Sequence, residues 1–231
     1  MADDIFLSPE EQDERARQWL KNNGPALAIG IALGLAAIFG YDLYKESKIA
    51  KAEQASALYS SAVSEVADSD LSNIDAQVSK LKADYSSSSY AAKAVLLSAK
   101  QLSANDLDAA YTELQWVVDN AKEKGLQHTA RIRQAKIKIA QKDFDAAKAL
   151  ASHTPVQGFA SNYSELLAEI SVLQGDEAAA RTYYQKAIET LTEEQAGYAG
   201  VLNLKLNRLP EPVEASVESK ISPIKDTESA E

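Results

Sequence analysis

The chain has 231 residues, with 34 acidic against 24 basic side chains and a net charge of −10. This balance argues against a protein that binds nucleic acid by neutralising phosphates. Cysteine is absent, which excludes a disulfide framework and a thiolate metal site, while a hydrophobic content of 45% is enough for a domain with a buried core.

Residues 1–21 form a short polar tail. Within it, "SPEEQ" has the pattern of a helix start, because Ser8 can cap the helix and Glu11 follows three residues later. We therefore expect helical structure just before the next segment.

Residues 22–44 are predicted to be a transmembrane helix. No charged side chain occurs from Asn22 through Tyr41, and 20 residues of helix span about 30 Å, the thickness of the hydrocarbon core of a bilayer. Asn22 or Asn23 is predicted to cap this helix, with Pro25 in its first turn. A cleavable signal peptide and a buried helix of a soluble protein are the alternatives, but bulky residues follow the apolar run and no polar stripe divides it.

The transmembrane segment contains small residues at helical spacing. Gly30 and Gly34 form a GxxxG pair, and a second ridge follows a spacing of four. One hypothesis is that these ridges dock another membrane helix; the other is that Gly and Ala are simply common in membrane helices. The members of the second ridge are Ala28, Ala32, Ala36 and Gly40.

Basic residues near the span do not decide its orientation. Three precede it and three follow it, so the positive-inside rule leaves both orientations open. They are Arg15, Arg17 and Lys21 before the span, and Lys45, Lys48 and Lys51 after it.

Residues 45–209 contain an internal repeat. Asp106, Asp143 and Asp176 are 37 and 33 residues apart, and each is followed by alanine at the third and fourth positions. A period near 34 residues predicts a tetratricopeptide-like α-solenoid, with a tight turn between the two helices of each unit. The third unit fits best, with Leu167, Ala168, Gly175, Ala180, Tyr184 and Ala187 at consensus positions.

Degenerate or terminal units flank these three repeats. A fourth unit fits residues 53–85, with its turn at Asp70 and with Ile74, Val78 and Leu81 lining its second helix. The serines at 86–89 are interpreted as a connection to the next unit. The segment from Glu193 predicts one capping helix stopped by Pro210, and residues 210–231 have the composition of a disordered acidic tail.

The sequence contains no recognised catalytic or nucleotide-binding motif. Its two histidines, His128 and His153, have no His or Glu at metal-binding spacing, so both are interpreted as surface or interhelical residues. We predict no catalytic residue, no cofactor and no metal site.

A cluster of basic residues is predicted to lie on the first helix of one repeat; its members are Arg131, Arg133, Lys136, Lys138 and Lys142. Arg131, Lys138 and Lys142 have separations that favour one helical face. This face is either a docking strip for an acidic partner segment or a solvated surface of an acidic protein.

The order of these features resembles the YfgM-like family, the ancillary subunit of the SecYEG translocon. The similarity covers about residues 15–209 and is carried by five stretches. They are "NGPALAIGIALGLAAIFGY" in the anchor, "YAAKAVLLSAKQL" from Tyr90, "RIRQAKIKIAQKDFDAAKAL" from Arg131, "LQGDEAAARTYYQKAI" from Leu173 and "LNLKLNRL" from Leu202.

This resemblance implies a single-pass protein of the bacterial inner membrane, with a cytoplasmic N terminus and a periplasmic repeat domain. It implies a scaffold without enzymatic activity, whose partners are the SecYEG translocon and a membrane-anchored periplasmic chaperone of the prolyl-isomerase type. It implies neither a nucleic acid nor a small-molecule substrate. A cytoplasm-facing scaffold and an envelope enzyme with an unrecognised site remain the alternatives.

Overall fold

A computed structural model describes residues 8–67, 74–153 and 158–210 of the chain, and no strand occurs within these ranges. The all-α prediction is therefore confirmed. The described residues divide into two units, Met1–Ser61 and Ala62–Glu231. The helices are α1 (Pro9–Ala67), α2 (Ile74–Asp84), α3 (Ser89–Leu102), α4 (Leu107–Asn120), α5 (Lys124–Ala140), α6 (Phe144–Ala151), α7 (Ala160–Gln174), α8 (Glu177–Glu189) and α9 (Ala199–Asn207), with a 3₁₀ helix at Glu193–Tyr198.

The start of α1 is the capping box that the sequence predicts. The backbone N–H of Ser8 donates to Glu11 Oε2 at 3.0 Å, and the N–H of Glu11 donates to Ser8 Oγ at 3.4 Å. This reciprocal pair satisfies two N–H groups that a helix terminus would otherwise leave without partners.

The prediction that a helix begins at Asn22 or Asn23 is wrong. The helix α1 is already formed there, and Pro25 lies in its interior rather than in its first turn. The side-chain amide of Asn23 donates back to the carbonyl of Trp19 at 2.9 Å, so it bonds within the helix instead of capping it. The cap at Ser8 thus starts a helix that passes directly into the apolar segment.

The repeated Asp-x-x-Ala-Ala pattern has a structural basis in the unit Ala62–Glu231. Asp106, Asp143 and Asp176 are the N-caps of α4, α6 and α8. In each case a carboxylate oxygen accepts from the N–H of the first alanine, at 2.9, 3.2 and 2.9 Å respectively. The second alanine is fully buried where the helices cross, and these alanines are Ala110, Ala147 and Ala180.

The turns after α5 and α7 have the same geometry. Lys142 and Gly175 adopt left-handed backbone conformations, with φ of 61° and 77°. Both turns are Schellman motifs, which satisfy carbonyl groups at the end of the preceding helix. The bonds are Lys142 N–H to the Ile139 carbonyl (2.9 Å), Asp143 N–H to the Lys138 carbonyl (2.9 Å), Gly175 N–H to the Val172 carbonyl (3.1 Å) and Asp176 N–H to the Ser171 carbonyl (2.9 Å).

The second helix of the degenerate first unit is α2. Its buried side chains are Ile74, Val78 and Leu81, as the sequence predicts. The predicted turn at Asp70 lies outside the described residues. Ser88 caps α3 by accepting from the N–H of Tyr90 at 3.2 Å, so the serine-rich connection also starts the next helix.

Two apolar clusters hold the last repeats together. One joins α5, α6 and α7 around Tyr163, Leu166 and Ile170. The other joins α7, α8 and α9 around Tyr184 and Leu202. The consensus positions Ala168, Ala180, Tyr184 and Ala187 are all buried, which confirms the sequence assignment of the third repeat.

The C-terminal cap differs from the single helix predicted from Glu193. A 3₁₀ helix at Glu193–Tyr198 precedes α9, which ends at Asn207, three residues before Pro210. The side chain of Gln195 accepts from the Thr192 N–H at 3.1 Å and donates to the Gly158 carbonyl at 2.8 Å. The second of these bonds connects the 3₁₀ helix to the turn before α7. The predicted disordered tail lies, after Pro210, outside the described residues.

Candidate protein-interaction surfaces

The unit Met1–Ser61 presents an unshielded apolar helix. Within the described residues, α1 is the one helix long and apolar enough to cross a membrane, and none of its most apolar stretch is buried. Leu33 and Phe39, for example, are each 66% exposed. Surface of this kind is unfavourable in water, and its length suits the hydrocarbon core of a bilayer.

Gly30 and Gly34 lie one turn apart on this helix, on the same side. A methyl group built on either glycine would meet no atom within 4 Å, so the surface is open to close approach by another helix. The ridge containing Ala32 and Ala36 lies on the opposite side, since two residues turn a helix by about 200°. Docking through the glycine pair stays a prediction.

In the repeat unit, a groove runs between α3 and α5, the first helices of two successive repeats. It encloses a cavity of about 400 Å³, and α4 closes it from behind. Its floor is apolar, with Ala99, Leu114 and Ile137 buried and Leu107 half-buried. First helices line the concave surface of such solenoids, so this groove is the candidate site for an extended partner segment.

The rim of this groove is cationic. Among the described residues that line it, the charged ones are Lys100, Arg133 and Lys136. Arg133 Nη1 donates to the Leu96 carbonyl at 2.8 Å, and burial lowers the pKa of its guanidinium. Lys100 and Lys136 are exposed, and neither forms a salt bridge within the part of the chain that the structure describes. We call these residues with their apolar floor the cationic groove.

The predicted strip of Arg131, Lys138 and Lys142 is placed differently. Lys142 is not on α5, which ends at Ala140, but in the left-handed turn that follows. Lys138 Nζ lies 4.9 Å from the ring centroid of Tyr111 on α4 and 3.0 Å from Gln141 Oε1.

The predicted strip also faces a different side of α5 from the cationic groove. Burial raises the pKa of the Tyr163 phenol, and the nearby positive charge of Arg131 opposes this effect. Lys136 is five residues after Arg131 and points about 140° away around α5. The strip as a partner site remains a prediction, but its members do not line the groove between the first helices. Sequence spacing identified the basic helix and missed Lys100, which only the packing of α3 against α5 brings to the groove.

The structure brings together two histidines that the sequence treats separately. His128 is buried in α5, its Nδ1 lies 2.8 Å from the Tyr163 hydroxyl, and its ring stacks on Phe159 at 5.1 Å. The ring of His153 lies 5.6 Å from that of His128. Burial lowers the pKa of both histidines, and the nearby positive charges of Arg131 and Lys124 lower each of them further. No group of three or more His, Cys, Asp or Glu residues that could hold a metal ion occurs in the described ranges.

A polar network attaches the last helix to α7. Lys205 Nζ lies 2.7 Å from both Glu165 Oε1 and Glu169 Oε1, and the Tyr198 hydroxyl donates to Glu165 Oε1 at 2.9 Å. The two carboxylates raise the pKa of Lys205 against the opposing effect of burial. The bonds explain why Glu165 is tolerated in a largely buried position.

Comparisons with known proteins relate this chain to one family. Residues 17–211 match the family model of a tetratricopeptide repeat-like domain. The ancillary SecYEG translocon subunit of Escherichia coli (strain K12) is 26% identical over 206 residues, covering 89% of this chain and 98% of that protein.

Two further proteins of the same name show similar coverage. The one from Neisseria gonorrhoeae (strain ATCC 700825 / FA 1090) is 30% identical over 206 residues, covering 88% of this chain and 98% of the relative. The one from Haemophilus influenzae (strain ATCC 51907 / DSM 11121 / KW20 / Rd) is 22% identical over 203 residues, with 88% and 98% coverage. The resemblance noted from the sequence is confirmed: with its apolar N-terminal helix and its Asp-capped repeats, the chain belongs to the YfgM-like family of ancillary SecYEG translocon subunits, whose shared region is a tetratricopeptide repeat-like domain.

Proposed function

We propose that this protein is a single-pass scaffold of the bacterial inner membrane that associates with the SecYEG translocon. In this proposal residues 1–21 are cytoplasmic and the repeat domain is periplasmic. The repeat domain links exported proteins to a membrane-anchored chaperone of the prolyl-isomerase type. The scaffold carries out no catalytic step and needs no cofactor.

One observation carries the proposal: relatives named as translocon subunits match the chain over 98% of their own length. The family model matches residues 17–211, which include both the apolar helix and the repeat domain. The physical features agree with the role, because an unshielded apolar helix needs a membrane and a solenoid groove suits an extended peptide segment.

The mechanism is tethering. Holding a chaperone beside a channel raises the effective concentration of chaperone that an emerging polypeptide meets, to the millimolar range for short flexible connections. Weak contacts in the groove are then sufficient, and weak contacts also let the client leave.

Topology is the first test, and because the chain has no native cysteine, label on this protein can come only from the introduced cysteine. Ser87 is exposed between α2 and α3, and Ala16 is exposed on the other side of the apolar segment. With Ser87→Cys, a membrane-impermeant maleimide added to intact cells should label the protein before lysis, whereas Ala16→Cys should be labelled only after lysis. The reverse pattern would identify a cytoplasm-facing scaffold and overturn the proposal.

Association through the anchor is tested by recovery of SecYEG with the detergent-solubilised chain. The double variant Gly30→Leu with Gly34→Leu should lose most of this recovery, because added side chains prevent close helix approach. Its control is Ile31→Phe with Leu35→Phe, which adds bulk at exposed positions of α1 that belong to neither small-residue ridge. Equal recovery for all three proteins would contradict docking through the glycine pair.

A further inference from the structure

We propose that residues 211–231 of this chain bind in its own cationic groove and compete there with segments of partner proteins. The groove lies inside the shared repeat domain, whereas nearly all of this C-terminal tail lies beyond residue 211, where the match to the family model ends. The inference goes beyond the proposed scaffold role and does not depend on association with the translocon.

The groove specifies the chemistry of its occupant. Three cations surround an apolar floor, and no carboxylate is among the described residues that line it. Lys100 and Lys136 are exposed on opposite walls, one on α3 and one on α5. A suitable ligand has acidic side chains that alternate with medium-sized apolar ones, since it must meet the rim and the floor together.

The tail has this composition. Residues 211–231 contain six acidic side chains against two lysines, for a side-chain charge of −4. Its four medium-sized apolar residues are Val213, Val217, Ile221 and Ile224, spaced four, four and three residues apart. Acidic residues adjoin the first two, in "VEASVES", so the sequence offers both components that the groove requires.

The tail is long enough to reach the cationic groove. It begins at Pro210, whose carbonyl accepts from Arg181 Nη2 of α8 at 2.6 Å and so starts the tail beside that helix. Direct contacts lead from α8 to α7 and from α7 to α5. Two helix-to-helix steps cover about 20 Å, while nine extended residues span about 30 Å. Ser219 can therefore reach the groove with the rest of the tail still available.

Binding is favoured when the tail and the groove belong to the same chain, because the connection between them raises the effective concentration of the tail at the groove. A short flexible connection holds the tail near the groove at an effective millimolar concentration, so even a weak contact is populated. A partner segment must displace the tail, and the tail thereby sets a threshold for partner affinity. Clients with stronger acidic and apolar segments would be selected.

Disulfide trapping tests the proposal on the full-length chain in detergent. One cysteine replaces Ser103, an exposed residue of the groove, and the other replaces Ser219 of the tail. A matched control pairs Ser219→Cys with Ser152→Cys, an exposed position at the end of α6. Under mild oxidation, the groove pair should form the intramolecular disulfide at least about fivefold faster than the control pair.

Charge reversal separates docking from random encounter. Lys100→Glu with Lys136→Glu should reduce trapping to the control rate, whereas Lys93→Glu with Lys148→Glu should leave it unchanged; both control lysines are exposed and outside the groove. An unchanged far-ultraviolet circular dichroism spectrum shows that each variant is folded.

Three results would overturn the inference. They are equal trapping at the groove and control positions, no effect of the groove charge reversals, and disulfides that join only two separate chains. The last result would assign the groove to the tail of a second copy. Maleimide labelling and SecYEG recovery are measured independently of disulfide trapping. If trapping fails, the proposed function still stands, and if labelling or SecYEG recovery fails, this inference still stands.

Discussion

Replacing Lys142 by glycine should stabilise the protein. Lys142 is exposed, and its φ of 61° is one that lysine adopts at a cost, because the Cβ atom approaches the following carbonyl oxygen. The equivalent turn after α7 has Gly175 at φ 77° and closes with the same pair of hydrogen bonds. The two repeats therefore use the same turn geometry. This geometry favours glycine, which occurs only in the turn after α7.

The magnitude follows from two opposing effects. A non-glycine residue in the left-handed region costs about 1–2 kcal/mol. Glycine offsets part of this gain, because it makes the unfolded chain more disordered by roughly 0.5–1 kcal/mol. The net expectation for Lys142→Gly is a gain of about 0.5–1 kcal/mol in the free energy of unfolding. For a domain of this size, that gain corresponds to a rise in Tm of roughly 1–4 °C.

The assay is urea and thermal unfolding of the full-length chain in detergent, monitored by circular dichroism. Two controls separate backbone strain from charge. Lys142→Ala removes the same charge but keeps a Cβ atom, so it should not show the gain. Gly175→Ala should lower stability by about 1 kcal/mol, although no atom lies within 4 Å of the added methyl group, because the cost there is conformational alone.

The reasoning would be refuted if Lys142→Gly and Lys142→Ala had the same effect. Such a result would mean that removal of the charge, and not relief of the left-handed conformation, sets the stability of this turn. A loss of stability for Lys142→Gly would show that the aliphatic part of the side chain contributes more than the strain costs.

Four further predictions concern the elements that hold the repeats together. Asp176→Ala should cost about 1 kcal/mol, because it removes the oxygen that accepts from the Ala179 N–H. Lys205→Met should cost about 1–3 kcal/mol, because it leaves the largely buried Glu165 with fewer partners. Leu114→Ala should cost about 2–5 kcal/mol, because the side chain is 1% exposed and its loss leaves a cavity. Since the folded-state pKa of His128 is lowered from 6.5, the unfolded chain binds more protons just below that pH, and stability should fall as pH decreases from about 6.5 towards the folded-state pKa.

The first three are measured by urea unfolding, with Asp145→Ala on α6 as an exposed control that the cap does not involve. An equal effect of Asp176→Ala and Asp145→Ala would contradict the capping argument. For the histidine, the free energy of unfolding is compared between pH about 7.5 and about 5 in the native chain and in His128→Gln. If the variant lost as much stability on acidification as the native chain, another group would be responsible; His153, whose pKa is lowered by the same surroundings, is the next candidate.

The local features of this protein follow directly from its sequence. Ser8 and Glu11 cap α1 through a pattern that is complete within four residues. The Asp-x-x-Ala-Ala repeat defines both the start of each second helix and its buried position, because capping and helix crossing depend on fixed short spacings. The apolar helix is equally local, since its length alone suits a bilayer.

The surfaces depend on contacts between residues that are distant in the chain. Lys100 and Lys136 are 36 residues apart, and they become two walls of one groove only because α3 packs against α5. The histidines 128 and 153 meet for a similar reason, through the packing of α6 and α7 on α5. The helical period of a single sequence indicates which residues share a face, but not which neighbour covers that face. Tertiary packing therefore decided that Lys138 lies over Tyr111 and that Lys136 remains open at the groove.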